Sequence, residues 1–315
     1  MGTTNLRYFR LDSSPYQKEE FFQKENKMFK ALGIEKGESP FDSEILISNT
    51  HTDFKKIPLS DLKKTKLILH PNSGYDNIPA QFVSEASFPI LTGNSIRSHG
   101  VVEYTLSKVF KHFCAQEDSP SWDESRAWNR KRLRDQNVFI LGHGIIGTLL
   151  EKSLRPLVNK IQVHDPFQGL HNKDPEDIDI VLLASSLNKT SEKFINKAFL
   201  KKLNPGWLLV NGARGKLIDQ EDLLTCLKGM LDATAYLDVF ETEPFLAEEF
   251  RNIPNLFKSS HIAGVSMNLD ELIIDFEREC SSKFITHRSN QANFETHFKE
   301  LLLKNKLSKD ISFLV

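Results

Sequence analysis

Three residues in the second half of the chain carry side chains suited to moving a proton and holding an anion: Arg214, Glu243 and His261. Each follows closely on an apolar run, in the stretches NGARG, DVFETEP and HIAG. A histidine exchanges a proton near neutral pH. A carboxylate bonded to that imidazole fixes its orientation and stabilises its protonated form. An arginine can grip a carboxylate through two parallel hydrogen bonds, which lysine does not reproduce. Taken singly, each has a plainer reading: an arginine in a surface turn, an exposed acid, a satisfied structural histidine. A shared chemical task would change that, and an earlier stretch supplies one.

The stretch FILGHGIIG, residues 139–147, sets Gly142, Gly144 and Gly147 in the frame GxGxxG directly after the apolar run NVFIL. The frame alone is weak evidence, since glycine-rich turns also occur where nothing binds. Its context fits a dinucleotide site: the first glycine makes the tight turn, the second admits a pyrophosphate, and the third allows a helix to pack on the strand. The following helix, TLLEKSL, offers N-terminal amides to phosphate. A second strand, KIQVHD, ends at Asp165, eighteen residues after Gly147. That is near the spacing of the acid that holds the adenosine ribose hydroxyls, and its charge repels a 2′-phosphate. NAD is therefore expected over NADP. The candidate loop comprises Gly142, His143, Gly144, Ile145, Ile146 and Gly147, with the His143 side chain expected to face solvent. A bound nicotinamide gives the first three residues a joint task, because a proton must move as a hydride moves. His261 would handle the proton, Glu243 would support it, and Arg214 would hold the substrate carboxylate and polarise its carbonyl.

The elements that must position these residues follow a βα rhythm. In the first part, LRYF, EILIS and KLILH alternate with helix-compatible stretches such as KEEFFQKENKMFKAL, as in a parallel α/β sheet. In HGVVEYTLSKVFKHF, the residues Val102, Leu106, Val109, Phe110 and Phe113 form one helical apolar stripe, read first as core packing rather than a subunit interface. Residues 115–136 are polar, and the basic cluster Arg130, Lys131, Arg132 and Arg134 reads as a solvated face. From Asn137 the rhythm resumes with NVFIL, KIQVHD, IDIVLLAS, GWLLVNGA, ATAYLDVF and KSSHIAG, six strand candidates in one block. From Leu269 the pattern is mainly helical.

Composition narrows the partners. The 315 residues can form two domains, and 41 Lys plus Arg against 42 Asp plus Glu give a net charge of -1. No global basic field exists to attract nucleic acid or an anionic membrane surface. Cys114, Cys226 and Cys280 are too scattered for a disulfide framework or a zinc ribbon, which fits a reducing compartment, and no metal site is expected. The N-terminus has no apolar signal-like core, and no long apolar run suits a membrane span, so a cytoplasmic protein is expected. Gly2 is no myristoylation signal, because Leu6 stands where Ser or Thr is needed.

The motifs GHGIIG with HDP, LNPGWLLVNGARGKLIDQEDLL, LDVFETEP and HIAG occur in the order seen in the D-isomer-specific 2-hydroxyacid dehydrogenases, which the chain resembles over roughly residues 67–285. The resemblance implies an α/β fold with a Rossmann dinucleotide-binding domain (residues 97–286) inserted into a smaller flavodoxin-like substrate domain (1–96 and 287–315). It implies catalysis by Arg214, Glu243 and His261, with backbone amides of Ser73 and Gly74 in HPNSGYDN receiving the substrate carboxylate. It adds Ala213, Asp238 and His261 to the cofactor-binding set, Asp238 as the residue that holds the nicotinamide carboxamide. It also implies a homodimer through the Rossmann domain, to which the VVEYTLSKVF stripe would then belong, and domain closure that shuts out water.

Two stretches depart from the family pattern. Ala184-Ser185-Ser186-Leu187 stands where a histidine and proline usually follow the third Rossmann strand, which implies a different cofactor pocket. Ile47 stands where the phosphoglycerate and phosphoerythronate branches place an arginine, which speaks against a phosphorylated substrate, although VVEY and LLTCL are similar to the phosphoerythronate branch. The leading expectation is an NAD-dependent enzyme interconverting a 2-oxo acid and a D-2-hydroxy acid. The alternatives are an NAD(H)-sensing, corepressor-like protein on the same fold, and a phosphohydroxyacid dehydrogenase.

Overall fold

The computed structural model describes residues 6–114, 121–122, 124–125, 131–288 and 290–311. Gly2 and its neighbours, Arg130 and the apolar tail lie outside the described residues. The chain divides into two compact units: Met1–Arg97 with Ser266–Val315 (unit 1), and Ser98–Val265 (unit 2).

Unit 1 begins with β1 (Leu6–Arg10), α1 (Glu19–Ala31), β2 (Ile34–Lys36), β3 (Ile45–Ile47), β4 (Leu67–His70), α2 (Ala80–Glu85) and β5 (Ile90–Thr92). Unit 2 follows with α3 (Ser98–Phe113), β6 (Asn137–Leu141), α4 (Ile145–Leu154), β7 (Lys160–His164), β8 (Ile180–Leu183), α5 (Lys197–Leu200), β9 (Leu208–Asn211), α6 (Gln220–Gly229), β10 (Thr234–Leu237) and β11 (Leu256–Lys258). The chain then returns to unit 1 with α7 (Leu269–Thr286), α8 (Gln291–His297) and α9 (Leu303–Ile311).

Both sheets are parallel throughout, and the expected α/β architecture is present in each unit. Unit 1 has the order β2-β1-β3-β4-β5, the flavodoxin-like arrangement. Unit 2 has the order β11-β10-β9-β8-β6-β7, so its strand order reverses between β6 and β8. Ligands of such sheets bind beyond the carboxyl ends of the strands, at that reversal.

Alternation along the strands divides each unit into two cores, because successive side chains point to opposite faces. In unit 2, Phe139, Val181, Leu209 and Ala235 face α5 and α6, while Val138, Ile140, Leu182 and Val210 face α3 and α4. The α3 stripe behaves as core: Val102, Val109 and Phe113 are buried, and Phe110 is its exposed member.

The expected NAD-binding domain, residues 97–286, includes the helix over 269–286. In the structure this helix, α7, belongs to unit 1, where Ile273, Ile274, Phe276 and Phe284 join Leu6, Tyr8, Ile45 and Leu67 in one core. The expected strand KSSHIAG is displaced: β11 ends at Lys258, and His261 sits in a turn. The described members of the basic cluster are each engaged at the surface, Lys131 with the Pro205 carbonyl, Arg132 with Asp135 and Arg134 with the Pro156 carbonyl.

Candidate active site

Strand order brings three loops of unit 2 to one edge. The neighbours β9, β10 and β11 end in the turns that carry Ala213 and Arg214, Asp238 through Glu243, and His261. His261 Nδ1 lies 2.7 Å from Glu243 Oε2, with the histidine side chain 54% exposed and the glutamate 35%. An ionised carboxylate only accepts, so Nδ1 carries the proton and Nε2 is left for a ligand. Glu243 Oε1 also accepts the Phe240 N–H at 3.0 Å. Partial burial acts to raise the Glu243 pKa. The His261 and Phe240 hydrogen bonds and the charges of His261 and Arg214 outweigh it and hold the carboxyl below its usual range.

Arg214 reaches this edge because the chain after it passes close to the β10 turn. A Cβ on Gly215 would lie 1.9 Å from the Phe240 carbonyl, so only glycine allows the approach. Buried Asn211 ties the turn itself, accepting the Ala213 N–H at 3.0 Å and donating to the Arg214 carbonyl at 2.9 Å.

His261 has φ +53°, a left-handed conformation that costs a non-glycine residue about 1 kcal/mol. Asp238 holds it there. The Asp238 carbonyl accepts the His261 N–H at 2.8 Å, and its carboxylate accepts the N–H groups of Ile262 and Ala263 at 2.9 and 2.7 Å. Ser259 Oγ adds a third bond at 2.6 Å and is itself 2.9 Å from the Tyr104 hydroxyl. By resemblance to the family, Asp238 is the residue expected to hold the nicotinamide carboxamide. In the structure it is 1% exposed and its carboxylate serves the turn that carries His261.

The glycine loop joins β6 to α4. Gly142 has φ +94°, and a Cβ there would lie 2.6 Å from the Ser185 backbone; at Gly147 it would lie 2.0 Å from the Gly142 carbonyl oxygen. The fold itself demands these two. At Gly144 nothing lies within 4 Å of the Cβ position, so packing makes no demand for glycine there. That open space, at the N-terminus of α4, is what a pyrophosphate needs. Asp165 accepts the His143 N–H at 2.6 Å and the Phe167 N–H at 3.0 Å, and a carboxylate has capacity for about two more bonds. Ile145 is exposed beside the loop and Ile146 packs on the core below it. The expectation for His143 needs correcting: its Nε2 lies 2.6 Å from Glu151 on α4 and the side chain is 22% exposed, because the second turn of α4 presents that carboxylate to the loop. Of the departing residues, Ala184 and Ser185 border the loop at the strand reversal, and a small depression beside Asp165 is lined by His164, Pro166, Phe167, Ser185 and Phe194.

Residues 104–263 match the D-isomer specific 2-hydroxyacid dehydrogenase, NAD binding domain, about half of the chain. The chain belongs to the D-isomer specific 2-hydroxyacid dehydrogenase family. Residues 104–263 are its NAD-binding domain. Among its relatives are the erythronate-4-phosphate dehydrogenase of Pseudoalteromonas translucida, 27% identical over 71% of this chain, and the glyoxylate reductase of Thermococcus gammatolerans, 23% identical over 66%. The matched region spans 60% of the first relative and 70% of the second. The NAD+-bound 3-phosphoglycerate dehydrogenase of Entamoeba histolytica superposes with TM-score 0.70 at 20% identity, covering 90% of this chain and 96% of that one. At that identity the likeness speaks for the fold.

In unit 1, Ser73 and Gly74 lie in the loop after β4. Neither backbone N–H has a hydrogen-bond partner among the described residues, which leaves both able to receive an anion. The loop is anchored by His70, whose Nε2 lies 2.8 Å from the Gly74 carbonyl while Nδ1 lies 2.9 Å from Ser48 Oγ. The carbonyl can only accept, so the proton sits on Nε2 and Ser48 donates to Nδ1. Burial above all pushes the His70 pKa down to about 4.

Sequence reasoning missed Gly215, Asn211, Ser259, Tyr104 and His70 as positioning residues. Only the glycine after Arg214 left a signal, in the dipeptide itself. Among the described residues no helix is long and apolar enough to cross a membrane, and no cluster of His, Cys, Asp or Glu is arranged to hold a metal.

Proposed function

We propose that the chain is an NAD-dependent dehydrogenase interconverting a small 2-oxo acid and its D-2-hydroxy acid, with His261 as proton donor in reduction and acceptor in oxidation. The single observation behind this reading is the His261–Glu243 pair at 2.7 Å on the carboxyl edge of a parallel sheet. Bound NADH supplies the hydride. Glu243 fixes the ring and stabilises its protonated form, so that Nε2–H donates to the oxygen of the carbonyl being reduced. Arg214 grips the substrate carboxylate and polarises that carbonyl, and the free amides of Ser73 and Gly74 receive the carboxylate. Gly142, Gly144 and Gly147 form the pyrophosphate cradle with the α4 amides, and Asp165 takes the ribose hydroxyls. Asp238 acts as a positioning residue for His261. A homodimer belongs to the same reading, by resemblance to the family.

The test is NADH oxidation against a panel of 2-oxo acids, with His261→Ala in parallel. At least one acid should turn over and the variant should lose that turnover while still binding NADH. Tight NADH binding with no acid consumed would favour the NAD(H)-sensing alternative.

A further inference from the structure

The carboxyl edge of the unit 1 sheet carries two cations that form no ion pair among the described residues. Arg97 Nη1 donates to the Pro71 carbonyl at 2.6 Å, and Lys306 Nζ donates to Thr92 Oγ1. These two contacts are neighbours: His70, just before Pro71, pairs in register with Thr92 across β4 and β5. Gly93 closes the gap, its N–H bonded to the His70 and Asn72 carbonyls at 2.8 and 3.1 Å. Lys306 Nζ also stands 5.8 Å from the centre of the Tyr75 ring. The two cations thus flank the Pro71–Tyr75 loop, at the edge where ligands of parallel sheets bind.

Among the described residues, no carboxylate forms an ion pair with Arg97 or Lys306. Both are largely buried, and that burial lowers the Arg97 pKa to about 10 and the Lys306 pKa to about 7, Glu300 opposing the effect at Lys306. The third basic side chain of the group, His70, is held neutral by its burial and feels both charges. Buried cations are ordinarily paired or hydrogen-bonded to anions. Each side chain nonetheless keeps part of its surface open to solvent, so an anion can reach them.

We propose that Arg97 and Lys306 form a subsite for a second anionic group on the 2-oxo acid: a phosphate, sulfonate or carboxylate beyond the one bound at Ser73 and Gly74. This rests on the reading that those two amides receive the substrate.

Two readouts on the full chain test it. The first is kcat/KM for 2-oxo acids with a terminal phosphate, sulfonate or carboxylate relative to glyoxylate, in the wild type, Lys306→Met, Lys306→Arg and Arg97→Lys. The doubly anionic acids should be preferred, and the preference should fall about 10- to 100-fold in Lys306→Met, the range for a lost charge-assisted hydrogen bond, with most of it retained in Lys306→Arg. Which acid gains most identifies the anionic group. The second readout is the rise in melting temperature on adding inorganic sulfate, expected in the wild type and Lys306→Arg and absent from Lys306→Met, with sulfate-free melting curves confirming that each variant folds. Turnover with no preference, or a preference and sulfate response unchanged in Lys306→Met, overturns the subsite and leaves the dehydrogenase reading standing. No turnover on any acid, with a sulfate response that depends on Lys306, keeps the anion site and removes the dehydrogenase reading.

Discussion

Among the described residues, unit 2 buries one acid, Asp238, whereas unit 1 buries two, Glu25 and Glu277, with Arg10 between them. Around the unit 2 sheet both cores are apolar, and the reactive groups stand on loops beyond the strands, with Glu243 and His261 more than a third exposed. Asp238, its buried acid, is met by two N–H groups and a hydroxyl. In unit 1, Arg10 on β1 lies between Glu25 on α1 and Glu277 on α7, all three nearly inaccessible. Burial drives the Glu277 carboxyl well above the ordinary range against the pull of Arg10, and the Glu25 charge adds to it. His70, Arg97 and Lys306 extend the pattern. Surface chemistry on a dry scaffold tolerates substitution at the site without loss of fold; buried charge makes fold and site depend on the same groups.

The contrast gives its largest effect at His261. His261→Ala should cost about a hundred- to ten-thousandfold in kcat, the range for a lost general acid, while the melting temperature stays near the wild type. A matching collapse of stability would erase the distinction between the units. The counterpart in unit 1 is Arg10→Met, which strands two carboxylates in the core. Chemical denaturation at neutral pH should show a loss of about 3–5 kcal/mol, the usual cost of breaking a buried pair; a loss under about 1 kcal/mol would mean that water reaches the triad.

A third effect concerns acid. The folded pKa of His70 lies below its unfolded value of 6.5, at about 4, so the unfolded chain binds the extra proton. Stability should therefore fall as pH drops from about 6.5 to about 4, by about 3 kcal/mol in full. Melting curves of wild type and His70→Asn across that window check this, the variant losing the His70 part of the slope. The smallest effect separates the glycines. Gly144→Ala should leave stability within about 1 kcal/mol yet weaken NADH binding about tenfold or more, because only the ligand competes for that space. Gly142→Ala, with φ +94° and a backbone neighbour, should lower stability as well.

The same contrast explains what the sequence made legible. Arg214, Glu243, His261 and the glycine loop each follow closely on a strand, so short local patterns reveal them, and the βα rhythm along the chain reveals the α/β class. That β9, β10 and β11 are neighbours is a fact of topology that no spacing encodes. Gly215 and Ser259 matter through close tertiary approach. The strands β2 and β5 have three residues each, too few to show alternation. The apolar face of α7 is visible in sequence, but nothing in it says which sheet it covers. Unit 1's charged set is the extreme case: Arg10 and Glu277 stand 267 positions apart, and Lys306 and Thr92 stand 214 apart.

Hydride transfer is tested most directly by mixing the protein with NADH carrying two deuteriums at the nicotinamide C4 and a 2-oxo acid, then examining the acid recovered. The wild type should form a D-2-hydroxy acid with deuterium at C2, and His261→Ala should not. Recovery of the unreduced 2-oxo acid, with NADH bound and unconsumed, would contradict it.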